Sequence, residues 1–182
     1  MHLLLCVTGG IAAYKACELV SLARHGDHAV RVAMTANATR FVTPVTFQAL
    51  SGEPVLLDLF EPSSEGGIDH ISWARWTDVA VVAPATANLL GKLAHGLADD
   101  AVTTLLTALP WATPIVLAPA MNTEMWRNPV VQRNVTLLGE YGRFHVVDPV
   151  SKRLACGDEG PGAMAAPVDV LAAALRLGPG GP

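Results

Sequence analysis

Short apolar runs alternate with amphipathic stretches along the chain. Residues 3–8 form a continuous apolar run that is too short for a helix and ends at two glycines, which is typical of a strand buried on both faces. Residues 11–25 carry apolar side chains at helical spacing and stop at a glycine. The same criteria predict strands at residues 3–8, 29–35, 55–59, 79–83, 114–118 and 144–147. They predict helices at residues 11–25, 39–50, 89–95, 99–109, 124–138 and 168–177.

Strands and helices that alternate over short connections predict one parallel sheet with helices on both faces. We expect a single domain over residues 1–177 and a disordered tail over residues 178–182. Pro84 is expected to end the fourth strand, and Pro129 marks a kink or a restart in a helix. Two stretches rich in polar residues, Pro and Gly, 61–69 and 151–167, are predicted to be loops, and the second is long enough to be functional or disordered.

Composition narrows the functional classes. Just over half of the 182 residues are apolar and the net charge is −4, so a chain with such short loops is expected to be an oligomer. The scattered lysines and arginines form no basic stripe, which argues against nucleic acid and an anionic membrane surface as partners. The N-terminal apolar run is too short for a signal peptide or a membrane span. Three irregularly spaced cysteines favour neither disulfides nor zinc, so we expect a cytoplasmic protein with reduced thiols and no metal.

The turn after the first predicted strand is a candidate phosphate site. Gly9 and Gly10 let the backbone approach a ligand, and the helix that follows offers free N–H groups. The segment is neither the three-glycine dinucleotide fingerprint nor a Walker loop, so a mononucleotide phosphate fits better. Tight packing of strand on helix is the alternative. Thr35, Thr86 and Asn88 also follow predicted strands, where capping a helix is the more frequent role.

Three residues could carry proton chemistry or bind a substrate. His70 could act as a general base near neutral pH, although one histidine among six is usually structural. Asn122 lies just past a predicted strand and could hold a carboxylate or simply form a turn. Cys156 lies in a Gly-rich loop, where its thiol could donate a proton. Cys6 and Cys17 fall on a predicted strand and helix and are expected to pack in the core.

The order and spacing of several short motifs resemble the flavin-containing cysteine decarboxylases, and among them most closely the phosphopantothenoylcysteine decarboxylases of coenzyme A biosynthesis. Each motif is weak alone, and the resemblance covers nearly the whole chain, from residue 3 to about residue 175. The motifs that carry it are GGIAAYK at residues 9–15, VAMT at 32–35, HI at 70–71, APATA at 83–87, APAMN at 118–122 and ACGDEGPG at 155–162.

The resemblance implies a Rossmann-like (flavodoxin-like) three-layer sandwich that holds FMN between the subunits of a homotrimer, which some members assemble into a dodecamer. It implies that His70 is the active-site base and that the Cys156 loop closes over the substrate. The substrate-binding residues that it implies are Asn122, Met121, Ala155 and Gly157. The FMN-binding residues that it implies are Gly9, Gly10, Ile11, Thr35, Phe41, Thr86, Ala87, Asn88 and Ala120.

The implied reaction is the decarboxylation of 4′-phosphopantothenoylcysteine to 4′-phosphopantetheine. A flavin would take a hydride from the cysteine side to create an electron sink, CO2 would leave, and Cys156 would supply a proton while the reduced flavin returns the hydride. A lantibiotic-type peptidyl-cysteine decarboxylase, a prenyl-FMN synthase relative and a non-catalytic flavin-binding regulatory subunit are the alternatives. Ala163 replaces the arginine usual in the family, which leaves the exact substrate open. Many bacterial relatives continue into a synthetase domain, so this sequence is either a freestanding decarboxylase, with a separate phosphopantothenate–cysteine ligase as a partner, or a part of a bifunctional protein.

Overall fold

The computed structural model describes residues 1–59, 69–153 and 159–179, and it is built on a parallel sheet of six strands. The strands are β1 His2–Val7, β2 Ala29–Met34, β3 Val55–Leu56, β4 Val79–Ala85, β5 Ile115–Pro119 and β6 Phe144–Val146. Their order is β3-β2-β1-β4-β5-β6, which is the Rossmann arrangement of doubly wound folds. The order in flavodoxins differs and is 2-1-3-4-5. The chain reverses its winding direction between β1 and β4, which lie side by side at the centre of the sheet.

Helices cover both faces of this sheet and confirm the predicted three-layer sandwich. The helices are α1 Ala13–His25, α2 Pro44–Ser51, α3 Asp69–Trp76, α4 Ala87–Ala94, α5 Ala101–Ala108, α6 Thr123–Arg127, α7 Pro129–Glu140 and α8 Pro167–Leu177. One layer contains α1, α2 and α8, and the other contains α3, α4, α5 and α7. Among the residues that the structure describes, no helix is long and apolar enough to cross a bilayer.

The central strand β1 explains why the chain folds into three layers. Leu3, Leu5 and Val7 belong to the core beneath α1 and α8, whereas Leu4 and Cys6 belong to the core on the opposite face. All five side chains are fully buried, because successive residues of a strand point to opposite faces and both faces here are covered. The prediction that Cys6 packs in the core is confirmed; Cys17, on α1, is only partly buried at its edge.

Several predicted boundaries need correction. The second predicted helix divides into a 3-10 turn, Ala38–Arg40, and α2, which starts at Pro44 because proline needs no acceptor at the first helical position. The predicted kink or restart at Pro129 is a restart, because Pro129 is the first residue of α7. Strand β4 continues through Pro84 to Ala85, where its pairing with β5 shifts register. Helix α3 was not predicted, and most of the loop predicted at residues 61–69 lies outside the described residues.

Part of the long loop predicted at residues 151–167 is a hairpin. Strands β7 Val150–Arg153 and β8 Glu159–Ala163 pair in antiparallel fashion, apart from the six-stranded sheet. The segment that joins them, residues 154–158, lies outside the described residues. At the C-terminal end Gly178 is buried and donates its N–H to the carbonyl of Ala174, so it caps α8; residues 180–182 of the expected tail lie outside the description.

Candidate active site

A cavity of about 850 Å³ opens at the carboxyl ends of the central strands. This volume lies in the upper part of the range of small-molecule sites, roughly 300–1,000 Å³. The loops after β1, β2, β4 and β5 form its wall together with the hairpin, so it occupies the crevice where the winding direction reverses. The predicted site residues that line it are Gly9, Gly10, Ile11, Thr35, Thr86, Ala87, Asn88, Ala120, Met121 and Asn122.

The two glycines of the first loop have different roles. A Cβ atom on Gly9 would lie 2.5 Å from Cβ of Asn37, so glycine is required there for the loops after β1 and β2 to touch. A Cβ atom on Gly10 would approach nothing closer than 3.5 Å, to Cγ2 of Thr86. The carbonyl of Gly10 accepts from the N–H of Ala13 at the start of α1. Gly9 therefore serves the predicted tight turn, whereas Gly10 leaves space at the cavity wall, where ligand binding stays a prediction.

A buried hydroxyl joins the loops after β1 and β4. The Thr8 side chain donates to the carbonyl of Pro84 at 2.6 Å and accepts from the N–H of Thr86 at 3.3 Å. Its Oγ1 also lies 3.2 Å from the Thr86 hydroxyl. Thr8 is 2 % exposed, so these bonds form without competition from water and fix the spacing of the two loops. Thr8 was not among the predicted site residues, because nothing local marks a threonine whose partners lie 76 and 78 residues away.

The start of α4 supplies backbone donors to the cavity. Thr86 is the N-cap of α4 and its hydroxyl accepts from the N–H of Leu89, which corrects the suggestion that Asn88 caps this helix. Ala87 and Asn88 instead occupy the first turn, where N–H groups have no acceptor within the helix. Both line the cavity, so the helix presents its positive end to any bound anion.

Thr35 has the capping-type role that its position predicted and also lines the cavity. Its Oγ1 accepts from the N–H of Ala38, and its own N–H donates to the carbonyl of Val7 at the end of β1. These bonds hold the loop after β2 against β1. Asn37 in the same loop lines the cavity as well. It was not predicted, because an asparagine between strand and helix is common in ordinary turns.

The loop after β5 is held by its own helix cap and by the hairpin. Asn122 is the N-cap of α6, and its Oδ1 accepts from the N–H groups of Glu124 at 2.8 Å and Met125 at 3.3 Å. The N–H of Met121 donates to the carbonyl of Gly162 on β8. Gly162 has a φ of 142°, and a Cβ atom there would lie 2.4 Å from the carbonyl oxygen of Met121. The hairpin can therefore pack against this loop only with glycine at position 162.

Among the described residues, four charged side chains line the cavity, and none of them was predicted. Lys92 on α4 pairs with Asp99 at 2.6 Å and with Asp100 at 2.9 Å, and these hydrogen bonds raise the pKa of the Lys92 ammonium. Burial opposes ionisation of Asp100, but hydrogen bonds from Lys92 and Thr103 outweigh it and lower the pKa of the carboxyl. Asp100 also forms a capping box with Thr103 at the start of α5. The other two charged groups of the wall are Lys15 and Lys152.

Two predicted site residues do not line this cavity, and three cannot be placed. Phe41 is half exposed beside the 3-10 turn, and His70 is half-buried on α3; neither is among the lining residues. Cys156 and its neighbours Ala155 and Gly157 lie outside the described residues. In the ranges that are described, no group of three or more His, Cys, Asp or Glu side chains could hold a metal ion.

Comparison with known proteins places the chain in a family. The family model described as Flavoprotein matches residues 1–177. A probable phosphopantothenoylcysteine decarboxylase of Streptococcus mutans is 46% identical over 164 residues, which cover 90% of each chain. The coenzyme A biosynthesis bifunctional protein CoaBC of Bacillus subtilis is 46% identical over 170 residues, which cover 93% of this chain and 41% of that protein. The chain thus spans less than half of the bifunctional relatives that it matches.

Solved structures of similar proteins have the same fold. A cysteine-to-serine mutant of a PPC decarboxylase, complexed with pantothenoylaminoethenethiol, superposes with a TM-score of 0.83 at 35% identity and covers 94% of both chains. The FMN binding protein AtHal3 superposes with a TM-score of 0.79 at 35% identity, covering 94% of this chain and 93% of its own. With a family model that matches nearly its full length, this chain belongs to the flavoprotein family.

Proposed function

We propose that this chain is an FMN-dependent phosphopantothenoylcysteine decarboxylase, a carbon–carbon lyase of coenzyme A biosynthesis, with residues 1–177 as its catalytic domain. The observation that carries the proposal is the single cavity in which a glycine turn, a helix start and the Asn122 loop converge. The turn and the helix start suit a phosphorylated cofactor, and the asparagine suits a carboxylate. The similarity to a probable decarboxylase over 90% of both chains supports the same reading.

The cavity wall fits FMN. Ala87 and Asn88 offer first-turn N–H groups of an eight-residue helix. The Gly10 N–H bonds to the Thr8 carbonyl, and the open space at Gly10 lets a phosphate approach the helix start closely. Ile11 and Tyr14 line the same cavity with exposed apolar side chains that can cover a flavin ring. FMN, when bound, supplies the reversible hydride acceptance that gives the departing carboxylate an electron sink.

The residues of the chain orient the substrate and handle its protons. The Oδ1 atom of Asn122 caps α6, which fixes the orientation of its amide at the cavity wall, and we assign to this residue the binding of the substrate carboxylate. Met121 beside it is fixed by its bond to Gly162. We assign the proton-donor role to the Cys156 thiol and the base role to His70. Those two roles rest on the resemblance, since Cys156 is not described and His70 does not line the cavity.

A homo-oligomer, a trimer or a dodecamer, would complete the site. His70 and Phe41 lie outside the cavity wall of one chain, so they could serve the cavity of another subunit. Ile11, Tyr14 and Val45 are more than 60% exposed, which is unusual for apolar side chains of a monomer when they occur together with an exposed Phe41. The further partners that we propose are the small substrate and a separate phosphopantothenate–cysteine ligase, in the cytoplasm.

The first experiment records the visible spectrum of the purified protein and then its products from 4′-phosphopantothenoylcysteine by mass spectrometry. We expect a flavin spectrum and 4′-phosphopantetheine. A flavin spectrum without turnover of this substrate, together with turnover of cysteine-ending peptides, would instead identify a peptidyl-cysteine decarboxylase. Cys156→Ser should keep the flavin but stop at the unsaturated thiol product; normal product from this variant would remove Cys156 from the proton-donor role.

A matched pair of variants tests Asn122. Asn122→Asp retains an oxygen that can cap α6 but replaces the amide donors by a charge that repels a carboxylate. Asn122→Ala removes the cap as well, at a cost of about 1 kcal/mol of stability. We expect both variants to bind FMN and lose turnover, and only the alanine variant to unfold earlier. Full turnover by Asn122→Asp would refute carboxylate binding at this residue.

A further inference from the structure

The cavity wall has an excess of positive charge on the hairpin side. Lys92 is neutralised by two aspartates, whereas none of the ion pairs within 4.0 Å among the described residues involves Lys15 or Lys152. Glu18, one turn further along α1, favours the charge of Lys15 only through space and makes no such pair. Two lysines of one cavity wall therefore stand without a carboxylate partner in the part of the chain that the structure describes.

Lys15 is held in place although it has no counter-ion. Its Nζ atom donates to the carbonyl of Met164 at 2.7 Å, directly after β8, and its side chain is half-buried. An ammonium group has three donors, so this bond orients Lys15 and leaves two donors for a ligand. Holding a long side chain in one position normally costs conformational entropy, and here the protein has already ordered it.

Lys152 reaches the same region from the hairpin. It lies on β7 opposite Gly160 of β8, and β8 is hydrogen-bonded through Gly162 to the loop that carries Asn122. Ala163, the cavity-lining residue at the end of β8, contributes only a methyl group. Burial and the positive charge of Lys152 both lower the pKa of Lys15, as expected for two cations that share a site without an anion.

We propose that Lys15 and Lys152 together form the subsite for the phosphate group of the phosphorylated substrate. This inference rests on the proposed function and extends it, because it identifies what selects a phosphorylated ligand over its non-phosphorylated form. A phosphate monoester carries close to two negative charges at neutral pH, which matches two unpaired ammonium groups. The phosphate of the cofactor has the same chemistry, but the start of α4 provides it with separate donors.

Binding measurements on the FMN-loaded protein test the subsite without relying on turnover. Isothermal titration compares 4′-phosphopantothenate with pantothenate for the wild type and for Lys152→Met, Lys152→Arg and the double variant Lys15→Met/Lys152→Met. We expect the wild type to prefer the phosphorylated ligand, and each lost charge to weaken that ligand by about 10- to 100-fold while pantothenate binding stays constant. Lys152→Arg, which keeps the charge, should retain the preference, and added salt should reduce it.

Lys152 carries the main test because it is exposed, whereas Lys15→Met also removes the bond to Met164 and could disturb the fold. Adding Ala163→Arg to Lys152→Met returns a cation from the neighbouring strand and should restore at least part of the preference. An equal affinity of the wild type for both ligands, or an unchanged preference in Lys152→Met, overturns the proposal. A fall in FMN affinity with an unchanged ligand preference overturns it too, and assigns the lysines to the cofactor phosphate.

The same experiment separates this proposal from the proposed function. If the wild type converts phosphopantothenoylcysteine but Lys152→Met keeps its preference for the phosphorylated ligand, the decarboxylase assignment stands and the subsite is wrong. If the wild type selects the phosphorylated ligand through the lysines but produces no phosphopantetheine, the subsite stands and the decarboxylase assignment fails.

Discussion

Replacing Thr8 by valine should separate the two loops at the centre of the cavity wall. Valine has nearly the same shape as threonine, so the substitution removes the hydroxyl and leaves the packing intact. The hydroxyl has one proton, which it gives to the Pro84 carbonyl at 2.6 Å, and it also accepts from the N–H of Thr86. Two net hydrogen bonds of about 0.5–1.5 kcal/mol each are lost, and a buried carbonyl is left without this donor, so we expect a loss of about 2–3 kcal/mol.

Urea denaturation of the apo and FMN-loaded forms measures this loss as a change in the free energy of unfolding. In a thermal melt the same change corresponds to a fall of about 4–12 °C for a domain of this size. Thr8→Ser is the matched control, because it keeps the hydroxyl and removes one buried methyl group, for about 1 kcal/mol. A valine variant as stable as the wild type, or a serine variant as unstable as the valine variant, would refute the role of the hydroxyl.

Two further predictions concern the hairpin and the ion pair. Gly162→Ala should lower substrate turnover and thermal stability together, because the new Cβ atom would collide with the Met121 carbonyl. Gly139→Ala, on the open surface of α7, is the control and should leave turnover unchanged and raise the melting temperature slightly. Equal effects of the two substitutions would contradict the collision. Asp100→Asn should cost about 1 kcal/mol near neutral pH. Because the pKa of Asp100 is lowered from 3.8 in the folded protein, its ionised form stabilises the fold at pH values above 3.8. The difference in stability between the wild type and Asp100→Asn should therefore vanish as the pH falls through the lowered folded pKa. A difference that persists in acid would show that Lys92 does not stabilise the fold through the charge of Asp100.

The strands were predictable because burial on both faces leaves an uninterrupted apolar signal. Residues 3–8, 79–83 and 114–118 are such runs, and the structure places all three at the centre of the sheet. The predicted end of β4 was wrong. Proline cannot donate a hydrogen bond to a neighbouring strand and so usually ends a strand, but Pro84 lies where the pairing of β4 with β5 shifts register and no regular hydrogen bond is required. The hairpin was missed because β8, which is rich in Gly and Pro, has little local preference for a strand and is held by its bond to the loop after β5.

The cavity-lining residues likewise fall into two groups, those that local sequence marks and those that depend on contacts between distant segments. Gly9, Gly10, Thr86 and Asn122 were identified because each follows an apolar run at the edge where ligands bind. Contacts between distant segments left no comparable signal: the Thr8 hydroxyl has its partners on β4, Lys92 pairs with the start of another helix, and Lys15 bonds to the end of the hairpin. Each of these depends on tertiary packing, which no local pattern encodes.

The position of β1 beside β4 has a consequence for the order in which the protein assembles. Their joining brings together residues 76 positions apart, and closing a loop of that length costs about 4 kcal/mol of chain entropy before any contact compensates it. During synthesis the first glycine turn exists long before its partner loop emerges, so the nascent chain has secondary structure but no cavity. Flavin uptake can follow only the docking of the sheet's two halves, so a chain that binds flavin has already brought those halves together.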